Sequence, residues 1–206
     1  MSRVKLKVCG ITSLADARDA IACGADYLGF NFYEPSPRYV RPDTVRGILI
    51  EIAAPVIPVG VFVNLESPEH VRAVMERSGV MMAQLHGNED ATFCAELGSD
   101  VAIKVIRPGP GFDPGSLVEY KVAAFLIDAF DKQLYGGTGR KANWEIAREV
   151  ARLKPVFLAG GLGPENIREA ITTVNPFAVD VNSGVESAPG HKDLNKLSQL
   201  RLEMDR

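Results

Sequence analysis

Ala123-Ala-Phe-Leu-Ile-Asp128, followed at Gly136-Gly-Thr-Gly139 by a glycine-rich turn, is the stretch on which the fold turns. The apolar run from Ala123 to Ile127 predicts a strand buried on both faces, the pattern of a parallel sheet covered by helices. Asp128 stands where that strand should emerge, and an ionisable carboxyl at the end of a buried run needs something to solvate or use it. The glycines beyond it leave backbone N–H groups free to approach a ligand closely. A carboxyl beside an anion cradle points to an enzyme of small phosphorylated substrates.

Outward from this stretch the same unit recurs. Strands are predicted at Val4–Cys9, Tyr27–Phe32, Val56–Val63, Val80–Leu85, Val101–Ile106, Ala123–Asp128, Val156–Ala159 and Ala178–Val181. Helices are predicted between them at Leu14–Cys23, Pro42–Ile52, Pro68–Arg77, Ala91–Leu97, Trp144–Leu153 and Pro164–Thr172, with a last one from Asp193. Ser67-Pro68 and Gly163-Pro164 place proline in a first helical turn, where its missing N–H costs nothing. The fifth unit is the exception. Pro108-Gly-Pro-Gly-Phe-Asp-Pro-Gly115 reads as a loop, and any helix at Ser116–Tyr120 is short. Eight such units predict an α/β fold, a single (β/α)8 TIM barrel filling residues 1–206 as one catalytic domain. A doubly wound open sheet shows the same alternation, but no Gly-x-Gly-x-x-Gly follows the first strand.

Composition narrows the function classes. The 206 residues are 46% hydrophobic and 24% charged, ordinary for a globular domain and enough for a core without disulfides. Cys9, Cys23 and Cys94 include no CxxC pair, so neither a disulfide framework nor a zinc site is expected, and the reducing cytoplasm is the expected compartment. The N-terminus runs straight into a strand pattern, with no signal-peptide h-region, and no apolar run nears the roughly 20 residues of a membrane span. A net charge of −3 with scattered basic residues argues against nucleic acid as a partner. Monomer and homodimer are both compatible with this composition.

In a barrel the chemistry sits at the C-terminal strand ends. Those positions hold Cys9, Asn31, Asn64, His86, Arg107, Asp128, Gly160-Gly161 and Ser183-Gly184. Cys9 is either a small buried hydrophobe or a thiolate whose proton is loosened by helix N-termini or cations. Asp128 could equally cap a turn or pair with a lysine such as Lys104. The glycine turns carry more weight together than singly. Gly137 and Gly139, Gly160 and Gly161, and Ser183 and Gly184 follow strands six, seven and eight, where barrels build a phosphate site. Arg38, in a loop stiffened by Pro35 and Pro37, is either a surface arginine or a planar fork suited to a carboxylate. His86 is a core or rim histidine with no second histidine near enough to suggest a metal, and it joins the substrate-binding candidates.

Lys7-Val-Cys-Gly-Ile-Thr12, Gly29-Phe-Asn-Phe-Tyr-Glu-Pro-Ser-Pro-Arg-Tyr39 and Gly60-Val-Phe-Val-Asn64 open a series of motifs. Gln84-Leu-His-Gly87, Ile127-Asp-Ala129, Leu158-Ala-Gly-Gly-Leu162 and Asp180-Val-Asn-Ser-Gly-Val-Glu186 complete it. Taken in order, they resemble the phosphoribosylanthranilate isomerase family of tryptophan biosynthesis over almost the full length. The resemblance implies a barrel that performs an Amadori rearrangement of N-(5-phosphoribosyl)anthranilate with no cofactor. It implies Cys9 as general base, Asp128 as general acid, Arg38 at the anthranilate carboxylate and the late glycine turns at the phosphate. Asn182 departs from the pattern, since many members carry Ser there. A carboxyl group that keeps its proton and a thiol that yields one make a workable pair near neutrality. Burial is expected to help the first, and helix N-termini the second.

Other barrels remain alternatives at this stage. An aminoaldose isomerase or indole-glycerol-phosphate synthase type would need paired aspartates or a Lys/Glu set, and the first strand here ends in Cys. A barrel that binds a phosphosugar without turnover is the reading from a different class.

Overall fold

The computed structural model describes residues 3–52, 54–109, 111–129 and 137–206, with side chains from 144 onward in the last stretch. Eight parallel strands close into a barrel in the order β1 to β8. They are β1 (Lys5–Val8), β2 (Tyr27–Asn31), β3 (Ile57–Phe62), β4 (Met82–Leu85), β5 (Ala102–Ile106), β6 (Ala124–Asp128), β7 (Val156–Ala159) and β8 (Ala178–Val181). Around them run α1 (Leu14–Ala22), α2 (Pro42–Ile50), α3 (Pro68–Ser78), α4 (Ala91–Leu97), α5 (Gly137–Val150), α6 (Ile167–Val174) and α7 (Leu194–Asp205).

Alternation along each strand divides the core in two. Leu6, Val8, Leu28, Phe30, Phe125, Ile127 and Leu158 face outward and pack in one cluster beneath the helices. Tyr27, Val59, Ile103, Val105, Leu126 and Phe157 face inward and fill the barrel, with the Tyr27 and Phe157 rings edge to face at 5.1 Å. Apolar side chains thus plug the N-terminal end of the barrel, and the polar ones gather at the opposite mouth. The seam is closed by β1 against β8, with Lys5 beside Ala178, Lys7 beside Asp180 and Val8 beside Val181.

Three elements depart from the sequence reading. Helix α5 starts at Gly137 rather than Trp144. Glycine costs about 1 kcal/mol in a helix, less than packing supplies once Trp144, Ala147 and Val150 are buried along the same element. Helix α6 starts at Ile167, not Pro164, because the Asn166 side chain ties down the turn before it. Its Oδ1 accepts from Gly163 N at 3.0 Å and its Nδ2 donates to Gly161 O at 2.8 Å. A two-stranded hairpin, β9 (Glu186–Ala188) with β10 (His191–Lys192), was not predicted, since strands this short carry no alternation. In the fifth unit a short 3-10 turn at Pro114–Glu119 replaces the helix, as expected. Among the described residues no helix is long and apolar enough to cross a membrane.

Lys104 faces outward from β5 and so cannot serve Asp128, which faces in. Its Nζ donates to Glu89 Oε2 and to Gly87 O, both at 2.8 Å, in a buried pair that anchors the loop after β4. Removing one member of such a pair leaves a bare charge, so Lys104→Met is expected to lower unfolding free energy by about 3–5 kcal/mol. Urea denaturation checks this, and a loss below about 1 kcal/mol would contradict the pair's role.

Candidate active site

The polar mouth of the barrel opens into a cavity of about 750 Å3. Its wall includes Cys9 after β1, Asn31 at the end of β2, Gln84 and His86 around the end of β4, Arg107 after β5, Asp128 ending β6 and Asp180 in β8. Gly160, Gly161, Ser183 and Gly184 complete one side. The arrangement follows from strand periodicity, because residues two apart point into the same lumen. Lys7 and Cys9 form such a pair on β1, Gln84 and His86 on β4, and Asp180 and Asn182 on β8.

The thiol is buried, with Cys9 8% exposed. Beneath it lies an ion pair that is also buried: Lys7 Nζ donates to Asp180 Oδ2 at 2.8 Å. Burial works against the Lys7 ammonium, but Asp180 and Cys9 together hold its pKa above the ordinary lysine value. Burial pushes the Cys9 thiol up, with Lys7 and Lys192 pulling against that rise and Asp180 adding to it. The expectation that helix N-termini lower the thiol is therefore corrected. Desolvation dominates, and the opposing pull comes from side-chain cations. Across the mouth, Asp128 Oδ2 lies 3.9 Å from Arg107 Nε.

On the glycine side a short 3-10 turn (Ser183–Val185) follows β8. A Cβ at Gly184 would collide with the Leu162 carbonyl, so only glycine lets the turns after β7 and β8 meet. Gly137 and Gly139 occupy the first turn of α5, while Gly136 lies outside the described residues. Arg38 stands beside the cavity, and Glu186 grips it from the hairpin. Nε donates to Glu186 Oε1 at 2.9 Å, and Nη2 to Oε2 at 2.6 Å. Lys192 Nζ reaches the same carboxylate at 2.9 Å and Asn182 Oδ1 at 3.1 Å. The Arg38 loop is pinned in turn by Ser36 Oγ, which accepts from Arg38 N and from Asn31 Nδ2.

Comparison with known proteins places this geometry. The family model for N-(5'phosphoribosyl)anthranilate (PRA) isomerase matches residues 6–201. The chain belongs to the N-(5'-phosphoribosyl)anthranilate isomerase family. It is 47% identical over 197 residues to N-(5'-phosphoribosyl)anthranilate isomerase from Geobacter metallireducens, covering 96% of each chain. The phosphoribosyl anthranilate isomerase structure from Thermus thermophilus superposes with a TM-score of 0.86 at 33% identity over 98% of each chain. A further phosphoribosyl anthranilate isomerase, solved in complex with reduced 1-(o-carboxyphenylamino)-1-deoxyribulose 5-phosphate, gives a TM-score of 0.84 at 36% identity over 98% of each chain.

Of the residues singled out from the sequence, Cys9, His86, Asp128, Gly160, Gly161, Ser183 and Gly184 share this one cavity in the family fold. Arg38 is not part of its wall. Sequence reasoning overlooked Lys7, Gln84, Asn166, Asp180 and Lys192 as contributors, although Lys7 and Gln84 each lie two residues before a candidate. Among the described residues no group of three or more His, Cys, Asp or Glu could hold a metal ion.

His86 is kept neutral. Burial first, then Arg107 and Lys7, bring its pKa down to about 4, and Gln84 Nε2 contacts its Nδ1 at 2.9 Å. An unfolded histidine titrates near 6.5, so the unfolded chain takes up this proton first and acid favours unfolding. Stability on the order of 2–3 kcal/mol is expected to be lost as the pH falls from about 6.5 through about 4. His86→Asn should keep most of it. Urea melts at neutral and acid pH check this, and equal acid losses in the two proteins would contradict it.

Proposed function

We propose that the chain, as one domain of residues 1–206, catalyses the Amadori rearrangement of N-(5'-phosphoribosyl)anthranilate to 1-(2-carboxyphenylamino)-1-deoxyribulose 5-phosphate in tryptophan biosynthesis. The observation that carries this reading is a single cavity with a thiol and a carboxyl on its wall beside two glycine turns. Family membership supports the substrate, and a relative solved with a reduced form of this product supports a ligand of this kind.

In this reading the phosphate rests on backbone N–H groups at Gly160-Gly161 and Ser183-Gly184, with Gly137 and Gly139 at the N-terminus of α5 as a further contribution. Arg38, aimed by Glu186, meets the anthranilate carboxylate, and His86 presents a neutral ring to the substrate. Among the described residues, Gln84 Oε1 and Asp180 Oδ1 are buried without a hydrogen-bond partner.

Asp128 gives a proton to the furanose ring oxygen. The C1–O bond breaks as the anthranilate nitrogen lone pair forms C1=N, which opens the ring to a protonated Schiff base. The Cys9 thiolate takes the proton from C2, the C–H electrons form C1=C2, and the C1=N electrons return to nitrogen. The enolamine then loses its hydroxyl proton and gains one at C1, giving the ketone. Atoms balance, and no redox partner is needed.

Cys9→Ala and Asp128→Ala are each expected to lower kcat by about 10²–10⁴-fold. The assay follows fluorescence loss of freshly generated N-(5'-phosphoribosyl)anthranilate. The rate should climb with pH as the thiol ionises, and Cys9→Ser should lose that limb. Binding of the reduced product analogue without any turnover by the wild type would select the binding-only barrel instead. Gly184→Ala is expected to raise KM at least tenfold with a smaller change in kcat, because the added Cβ displaces a phosphate turn. An unchanged KM would remove that turn from the phosphate site.

A further inference from the structure

Asp180 lines the cavity, Lys7 is fully buried behind it, and neither has a part in the acid/base steps above. Their Cα positions are paired in the β1–β8 ladder, so the ion pair spans the seam at which the barrel closes. Gly29 on the neighbouring strand explains how the thiol fits beside them. A Cβ there would sit 2.7 Å from Cys9 Sγ and 3.1 Å from Lys7 Nζ, so both atoms crowd the one face that glycine leaves open. A lysine with neither a carboxylate nor a thiolate beside it would not stay charged at this depth. Asp180 supplies the carboxylate, and its Oδ1 has no hydrogen-bond partner among the described residues.

We propose that Lys7 is a positioning residue for the catalytic base: its ammonium, clamped by Asp180, is the counter-ion beside which the Cys9 thiolate forms. The proposal rests on the reading of Cys9 as the base. In it, Asp180 holds the lysine in place while competing with the thiolate for the same positive charge, and either anion suffices to keep the lysine protonated. Other charged groups bear on the thiol from the elements around it. Lys192 on β10 and Arg38 in the loop after β2 are cations, and both are partly neutralised by Glu186. Asp128 on β6 acts on Asp180 from across the mouth. Lys7 is the lysine two residues before the thiol, and its carboxylate partner comes from the other side of the seam.

The test is the pH dependence of iodoacetamide modification of Cys9, mapped by mass spectrometry so that Cys23 and Cys94 do not contribute. It is run on the wild type, Lys7→Met, Asp180→Asn and the double variant. Lys7→Met is expected to move the midpoint up by a unit or more and to slow modification at neutral pH about tenfold. Asp180→Asn is expected to move it down, because the lysine then has only the thiolate to pair with. The double variant should fall between them. A merely structural role would shift both single variants in the same direction, so opposite shifts support the proposal. An unmoved profile in Lys7→Met, or parallel shifts, would overturn it.

If Lys7→Met does not fold, Asp180→Asn and the double variant decide. A downward shift in Asp180→Asn supports the proposal, and none or an upward one overturns it. Turnover by Cys9→Ala is measured in parallel. Activity there would sink the reading of Cys9 as base, whereas the modification profile reports the Lys7–Cys9 coupling directly, so the two failures are told apart.

Discussion

The buried contact between Lys7 and Asp180 is the interaction on which the rest depends. It joins the first strand to the last, 2.8 Å apart, at the point where eight strands become a closed ring. Desolvating two charges costs several kcal/mol per ion before the contact returns any of it, so the pair adds little to net stability. Its physical effect is on register. A slip of β1 by one residue against β8 would turn Lys7 and Cys9 away from the lumen and drive Leu6 and Val8 into it. Lys7 would then lie unpaired under the helices and Asp180 unpaired in the lumen.

With the seam in register, strand periodicity does the remaining placement. On β2, β4, β5, β6 and β8 an apolar residue lies low in the lumen and a polar one above it. The upper layer brings Cys9, Asn31, His86, Arg107, Asp128 and Asn182 together from strands far apart in the chain. The lower layer is dense and rigid, with Tyr27 on Phe157 and aliphatic side chains between. In the proposed mechanism a thiol and a carboxyl held on such a floor act on C2 and the ring oxygen, both bonded to C1, without reorganisation at each turnover. The hairpin after β8 adds a second charged set, in which Glu186 holds Arg38 and Lys192 together at the rim.

Much of this was legible in the residues. The eight apolar runs predicted the barrel strands, most of them to within one residue at each end, because parallel strands buried on both faces are nearly continuous hydrophobic stretches. Cys9, Asp128 and the late glycine pairs were visible as polar or flexible residues where such runs stop. Lys7 and Asp180 were harder to see, since charged residues inside a strand read as its solvent face until ring closure makes that face a lumen. Glu186 and Lys192 lie on strands too short for a pattern, and Asn166 acts through a turn whose proline suggested a helix start. The start of α5 at Gly137 shows packing at Trp144 and Val150 overriding the low helix propensity of glycine.

Thiol, carboxyl, arginine and phosphate turns are proposed to surround one substrate in one orientation. A crystal structure of the wild-type protein with reduced 1-(o-carboxyphenylamino)-1-deoxyribulose 5-phosphate tests it most directly. The account predicts the phosphate against Gly160-Gly161 and Ser183-Gly184, the benzoate carboxylate towards Arg38, and C2 within about 4 Å of Cys9 Sγ. A ligand bound the other way round, with its phosphate at Arg38 and C2 remote from the thiol, would contradict it.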